Sequence, residues 1–185
     1  MSHRFCVAPM IDVTNRHCRF LFRKFSKYSR LYTEMIVADA VTHGDKDYLL
    51  GFDQIEHPVA LQLAGSDPTL LTNAAVIGEQ YGYDEINLNI GCPSKRVQAG
   101  NFGACLMAHP KLVAECVERI KEKVNIPVTI KCRIGIDDFN PDEMLPEFVE
   151  TLIKSDVSTF IIHARKAMLE GLDPKQNREI PPLDY

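Results

Sequence analysis

A chain of 185 residues, 45% hydrophobic and 25% charged, can bury one sizeable core, and its composition excludes collagen-like, disordered and membrane-embedded classes. A net charge of −4 excludes an evenly basic surface, so any contact with nucleic acid has to come from a local patch. The six cysteines (Cys6, Cys18, Cys92, Cys105, Cys116 and Cys132) form no CxxC pair and no Cys/His cluster with ligand spacing, so reduced thiols are expected, with no disulfide framework and no metal.

The opening stretch MSHRFCVAPMIDVTNRHC is broken by Pro9 and Asp12 before a secretory apolar segment can form, which predicts a cytoplasmic protein. A first strand is predicted over residues 5–8. Residues 15–30 then hold Arg16, Arg19, Arg23, Lys24, Lys27 and Arg30 with no acid among them. This stretch reads as a solvated helix face, with phosphate contact as the alternative. Further apolar runs at 31–35, 59–63, 86–90, 128–130 and 160–162 predict five more strands, each buried on both faces. Helical periodicity fills most intervals. Over 67–81, Asp67 can cap, Pro68 sits in the first turn and Gly82 stops the helix; similar patterns run over 110–124 and 142–154.

Strands alternating with amphipathic helices imply βαβ units and a parallel sheet. Polar residues fall at the ends of successive strands: Gln62, then Asn87 and Asn89 before Gly91 and Cys92, then Lys131 and Arg133, then His163 and Arg165. A TIM (β/α)8 barrel builds its site in this way, at one rim. An open doubly wound sheet would carry a glycine-rich phosphate turn after its first strand, and here that strand runs into Pro9-Met10-Ile11-Asp12. The expectation is one partial barrel domain over 1–185, with about six of eight βα units, ending after the sixth strand at IPPLDY.

The stretch NIGCPSKRVQAGNFGACLM, residues 89–107, carries the most chemistry. Gly91 is expected to permit a sharp turn, Cys92 to stand at the rim and Pro93 to fix the exit of the loop. A thiol there could move a proton or act as a nucleophile, although spacing alone leaves Cys92 equally a small turn residue.

This stretch resembles the signature loop of the dihydrouridine synthase family. APMIDVTNRHCR, LYTEMIVADAVTHG, HPVALQLAGSDP, GYDEINLN, PVTIKCRIGIDD, FIIHARKA and NREIPPLDY are similar to its A-type branch, so the resemblance covers nearly the whole chain. It implies FMN across the barrel mouth, reduced by NADPH, with hydride passing to C6 of a uridine in the tRNA D-loop. It makes Cys92 the proton donor to C5, a role that needs the thiol rather than the thiolate. It places Pro9, Met10 and Ile11 against the isoalloxazine, Gln62 on its pyrimidine edge through a paired amide contact, Lys131 near N1 and O2, and His163 as a further flavin contact. Asn89 and Arg178 are implied to meet the RNA. Lys95, Arg96, Arg165, Lys166 and Lys175 are candidates for phosphate contact.

Each position has a plainer alternative: Lys131 as a packed stem with a wet head, His163 as a core histidine, Gln62 and Asn89 as amides closing strand ends. The glycine-rich loops that grip the FMN phosphate in the family, and its C-terminal helical domain, are not in this sequence, so weak flavin binding by these residues alone is expected. Two other readings remain: another FMN barrel, such as a dihydroorotate dehydrogenase or an ene-reductase, and a non-catalytic fragment that binds RNA or partners.

Overall fold

A computed structural model describes residues 3–185; Met1 and Ser2, part of the stretch read for a leader, lie outside the described residues. The elements in chain order are β1 (Cys6–Val7), α1 (Arg16–Phe25), β2 (Arg30–Tyr32), β3 (Ile36–Val37), α2 (Ala38–His43), α3 (Lys46–Leu50), β4 (Val59–Ala64), α4 (Pro68–Gln80), β5 (Glu85–Ile90), α5 (Lys95–Ala99), α6 (Pro110–Lys121), β6 (Val128–Arg133), α7 (Pro141–Lys154), β7 (Phe160–His163) and α8 (Gln176–Glu179). The principal strands pair in parallel in the order β1-β2-β4-β5-β6-β7. Together they form an incomplete (β/α)8 barrel. No helix of the described residues is long and apolar enough to cross a membrane.

The predicted helix over 67–81 forms as α4, with the Asp67 carboxylate accepting from the Thr69 and Leu70 N–H groups at 2.7 and 3.0 Å, and Gly82 following at φ +93°. The helices expected over 110–124 and 142–154 form as α6 and α7. Close approach of α4 to the sheet depends on Gly78, where a Cβ would stand 2.5 Å from Leu61 Cδ2.

Strands β4, β5 and β6 are buried on both faces as expected, but the second face is not everywhere apolar, and two further expectations change. On β5, Ile86, Leu88 and Ile90 belong to the hydrophobic core, while Glu85 and Asn87 on the opposite face are equally buried but engage polar groups of other strands. The run predicted as one strand over 31–35 is split: Tyr32 pairs with Ala60 but Ile36 with Leu63, so β2 and β3 hold one residue more than the β4 segment they face, a bulge. Thr33 in this interruption accepts the Gln62 N–H at 2.9 Å. Gln62 itself lies inside β4, which runs on to Ala64, and is 1% exposed instead of closing the strand.

The basic stretch over 15–30 is not a solvated face. Arg19, Arg23 and Arg30 are 4%, 5% and 2% exposed. Arg19 Nε meets Glu56 at 2.6 Å, Arg23 donates to the carbonyls of Ser26, Ser29, Glu56 and Pro58, and Arg16 donates to those of Asp47 and Tyr48. These cations bracket α1 to neighbouring segments; among them only Lys24 and Lys27 keep exposed side chains.

Candidate active site at the barrel mouth

Parallel pairing puts the C-terminal ends of the strands on one rim, so the residues following β1, β5, β6 and β7 share one neighbourhood. The Cys92 turn stands there on β5. Its anchor is Asn89, whose side-chain oxygen accepts the N–H of Gly91 at 3.1 Å and of Cys92 at 2.9 Å. On the other side, the Cys92 carbonyl accepts the Ala104 N–H at 2.9 Å. The half-buried Cys92 thiol makes no hydrogen bond among the described residues.

The glycine this turn demands is not Gly91, which keeps an ordinary φ, but Gly103. At φ +77°, a Cβ on Gly103 would sit 2.6 Å from the Cys92 carbonyl oxygen. The stretch after Cys92, read from sequence as loop, forms the short helix α5 with Ser94 as its cap. Lys95 and Arg96 are exposed on it. Gln98 on α5 donates to the carbonyls of Pro93 and Leu169 at 2.8 and 2.7 Å, tying the cysteine loop to the segment after β7.

Strand β6 brings the cations. Lys131 stands level with Asn89 in the sheet register and Arg133 level with His163. Lys131 forms no hydrogen bond or ion pair among the described residues, and burial, with Arg133 beside it, holds its ammonium below the ordinary lysine range. Arg133 is 3% exposed. Its guanidinium donates to the carbonyl of Gly91 at 3.2 Å, of Lys166 at 3.3 Å and of Asn177 at 3.0 Å. Burial, and secondarily Arg165 and Arg178, bring Arg133 down to about 10 against the pull of Cys92. His163 is pushed down to about 4 by burial and then by Arg133, Lys131, Arg165 and Arg178, so its ring is neutral near pH 7.

Arg178 is exposed, next to Asn177, which is fully buried. Asn177 accepts the Met168 N–H at 2.7 Å and its amide nitrogen reaches the carbonyls of Met168, Leu172 and Asp173. It thereby ties Met168, Leu172 and Asp173 to α8. Arg165 donates to the carbonyls of Glu179 and Pro181. Lys166 is half-buried and Lys175 exposed.

The residues after β1 complete the rim. Pro9 is half-buried, and Met10 and Ile11 are 40% and 50% exposed. They lie in a loop beyond β1, whose strand ends at Val7. The Met10 N–H and carbonyl are both engaged by Thr14. Ile11 lines a groove of about 970 Å³ that passes Arg16, Glu34, Ser94 and Arg96 and so borders the cysteine loop.

Gln62 and Asn89 are tied together, with Asn89 Nδ2 donating to Gln62 Oε1 at 2.9 Å and Gln62 Nε2 donating to Asn87 Oδ1 at 2.7 Å. Gln62 thus engages one lone pair of its oxygen and one amide hydrogen within the protein. Asn89 keeps one amide hydrogen and Lys131 its ammonium hydrogens without a protein acceptor among the described residues. The sequence-named residues Cys92, Asn89, Gln62, Lys131 and His163 come together at one end of the sheet. Sequence reasoning missed Arg133 as a brace, together with Asn177, Gln98 and Gly103. Asn177 was legible only as part of NREIPPL.

The family model described as dihydrouridine synthase matches residues 6–185. Curated proteins named tRNA-dihydrouridine(20/20a) synthase are similar along the chain: one from Escherichia coli (strain K12) is 58% identical over 185 residues, covering 100% of this chain and 53% of that protein. Another from Pasteurella multocida (strain Pm70) is 59% identical over 182 residues, covering 98% of this chain and 55% of that protein. A third, from Xanthomonas axonopodis pv. citri (strain 306), is 54% identical over 184 residues, covering 100% and 55%. The chain therefore spans a little over half the length of these relatives. A barrel rim carrying the Cys92 turn, joined to a family match over residues 6–185, settles the membership: the chain belongs to the dihydrouridine synthase family.

Proposed function

We propose that this chain is the catalytic barrel portion of a tRNA-dihydrouridine synthase, which reduces the C5=C6 bond of uridine in the tRNA D-loop, in the cytoplasm. The observation that carries the reading is the Cys92 turn, pinned by Asn89 and Ala104 beside unpaired Lys131, at the mouth of a parallel barrel. The donors left at Asn89 and Lys131, with the remaining donor and acceptor positions of Gln62, suit a ring that carries carbonyl oxygens and an N–H, as the pyrimidine ring of FMN does. Gln62, Lys131 and His163 would hold that ring, with the loop at Pro9, Met10 and Ile11 beside it. Bound there and reduced by NADPH, FMN would supply the hydride for C6.

The remaining roles fall to the chain. Cys92 holds its proton as a thiol and delivers it to C5 of the uracil ring. Lys131 stabilises negative charge developing near the ring carbonyls, its ammonium strengthened by partial desolvation. Neutral His163 accepts or donates a hydrogen bond without adding charge. Asn89 orients the cysteine turn and meets the substrate nucleotide. Exposed Lys95, Arg96, Lys175 and Arg178, together with Arg165 and Lys166, suit contact with the several phosphates of an RNA backbone, more than the single phosphate of FMN needs. The FMN phosphate would be held by chain beyond β7, in the part of the relatives that these residues do not span.

The test is Cys92→Ala in the full-length protein, with dihydrouridine in D-loop tRNA measured by mass spectrometry. Loss of at least about a hundredfold is expected for removal of a general acid. Unchanged dihydrouridine would end the proton-donor assignment.

A further inference from the structure

Glu85, at the start of β5, has no exposed surface, and a carboxylate paired with a cation only accepts hydrogen bonds. Its oxygens meet Arg30 at 3.1 Å, His3 at 2.7 Å, the Tyr32 hydroxyl at 3.2 Å and the Thr129 hydroxyl at 2.6 Å. Thr129 has one hydrogen, and Glu85 takes it. Toward Asn87, whose amide nitrogen is 2.8 Å away, Thr129 Oγ1 is left to accept. That orientation turns the Asn87 oxygen to Gln62 Nε2 at 2.7 Å. The Gln62 oxygen then faces Asn89 Nδ2 at 2.9 Å, and the Asn89 oxygen faces the N–H groups of Gly91 and Cys92.

Both ends of this ladder dictate the same sense. Backbone N–H groups at the top can only donate, and the carboxylate at the bottom can only accept. Reversing any single amide would set oxygen against oxygen or NH2 against NH2, so the chain keeps its direction as a unit.

We propose that Glu85 and Thr129 are positioning residues that fix the direction of this amide ladder and thereby turn the Asn89 oxygen to the Cys92 turn, leaving Asn89 only an amide hydrogen, a donor, for the floor of the mouth. Such a donor selects an acceptor on the ligand, in chemical class one carbonyl oxygen of a pyrimidinedione. The proposal rests on the functional reading above, where that carbonyl belongs either to the flavin or to the uridine.

Thr129→Val and Thr129→Ser in the full-length protein separate this role from packing. Valine preserves the shape of threonine and suits a strand better than serine does, so a residue that only packs would tolerate Val and suffer from Ser. A residue that sets the ladder gives the opposite order. Expected are FMN dissociation constants within about twofold of wild type for Ser and raised about tenfold for Val, the effect of one lost buried hydrogen bond. If the floor reads the uridine instead, FMN affinity stays and tRNA-dependent reoxidation of the reduced flavin falls about tenfold for Val alone.

A readout without cofactor accompanies these: the rate at which iodoacetamide alkylates Cys92, resolved by mass spectrometry, with buried Cys116 and Cys132 reporting an intact fold. Val is expected to raise the Cys92 rate several-fold by loosening the Asn89 anchor, and Ser to leave it near wild type. Should the Val variant not fold, Thr129→Ala, which also lacks the hydroxyl, replaces it against Ser. Equal behaviour of the variants, or Ser worse than Val or Ala, overturns the proposal. Wild-type protein without flavin would sink the functional reading, and the ladder would then be judged on alkylation alone.

Discussion

A neutral imidazole among four cations is the most distinctive electrostatic fact at the mouth. His163 is held at about 4, below an unfolded value near 6.5. Between those values the unfolded chain binds the proton and the folded chain does not, so stability rises with pH across that window. The His163 contribution is complete above about 6.5 and is lost as pH falls toward 4. His163→Gln removes this dependence. Urea midpoints of the two proteins measured at pH 7.5 and pH 5 should therefore show wild type losing more on acidification than the variant. Equal losses would mean that the histidine is not held neutral by its surroundings. Residues such as Cys92 and Lys131 were legible in sequence because each sits where a strand pattern stops. The bracing roles of Arg133, Asn177 and Gln98 were not, since their partners are carbonyls of segments folded against them from elsewhere, and a carbonyl leaves no mark in a sequence.

At the level of elements, α1 reverses the usual reading of a basic run. Its arginines satisfy carbonyls and one buried carboxylate, and Glu56 is 1% exposed with Arg19 as its cation. Removing one partner of such a pair strands the other, so Arg19→Met is expected to cost about 3–5 kcal/mol, read as a drop in urea midpoint at constant slope. A change under about 1 kcal/mol would place the pair with solvent-exposed ones. The signal in the sequence was spacing: Arg16, Arg19 and Arg23 recur at three and four, the stripe of a face that packs inward. Charge alone hides that stripe, and periodicity reveals it. Periodicity also accounts for β5. Glu85-Ile86-Asn87-Leu88-Asn89-Ile90 alternates strictly, which marks a strand with one apolar and one polar face, and here the polar face turns inward. The order of strands and helices was readable throughout, because caps, prolines and apolar runs are local. The bulge between β2 and β3 depends on the register of β4 and is not.

At the scale of the whole molecule, the mouth is shared among strands, and its completeness depends on how many are present. In the described sheet β1 and β7 each pair on one side only, and β7 places His163 at this edge with Ile162 43% exposed beside it. On the proposed function, a flavin held by residues 3–185 alone would be gripped at its ring by Gln62, Lys131 and His163, without contacts from loops after later strands of the kind that hold phosphate in such barrels. Phosphate contacts are charge-assisted and worth more than neutral ones, so losing them weakens binding steeply. A polypeptide of these 185 residues alone should purify with well under one flavin per chain, and one extended through the length of the relatives should carry about one. Absorbance near 450 nm against protein concentration measures both. Equimolar flavin on the shorter polypeptide would show that the ring contacts suffice and that the phosphate is not where most of the affinity lies.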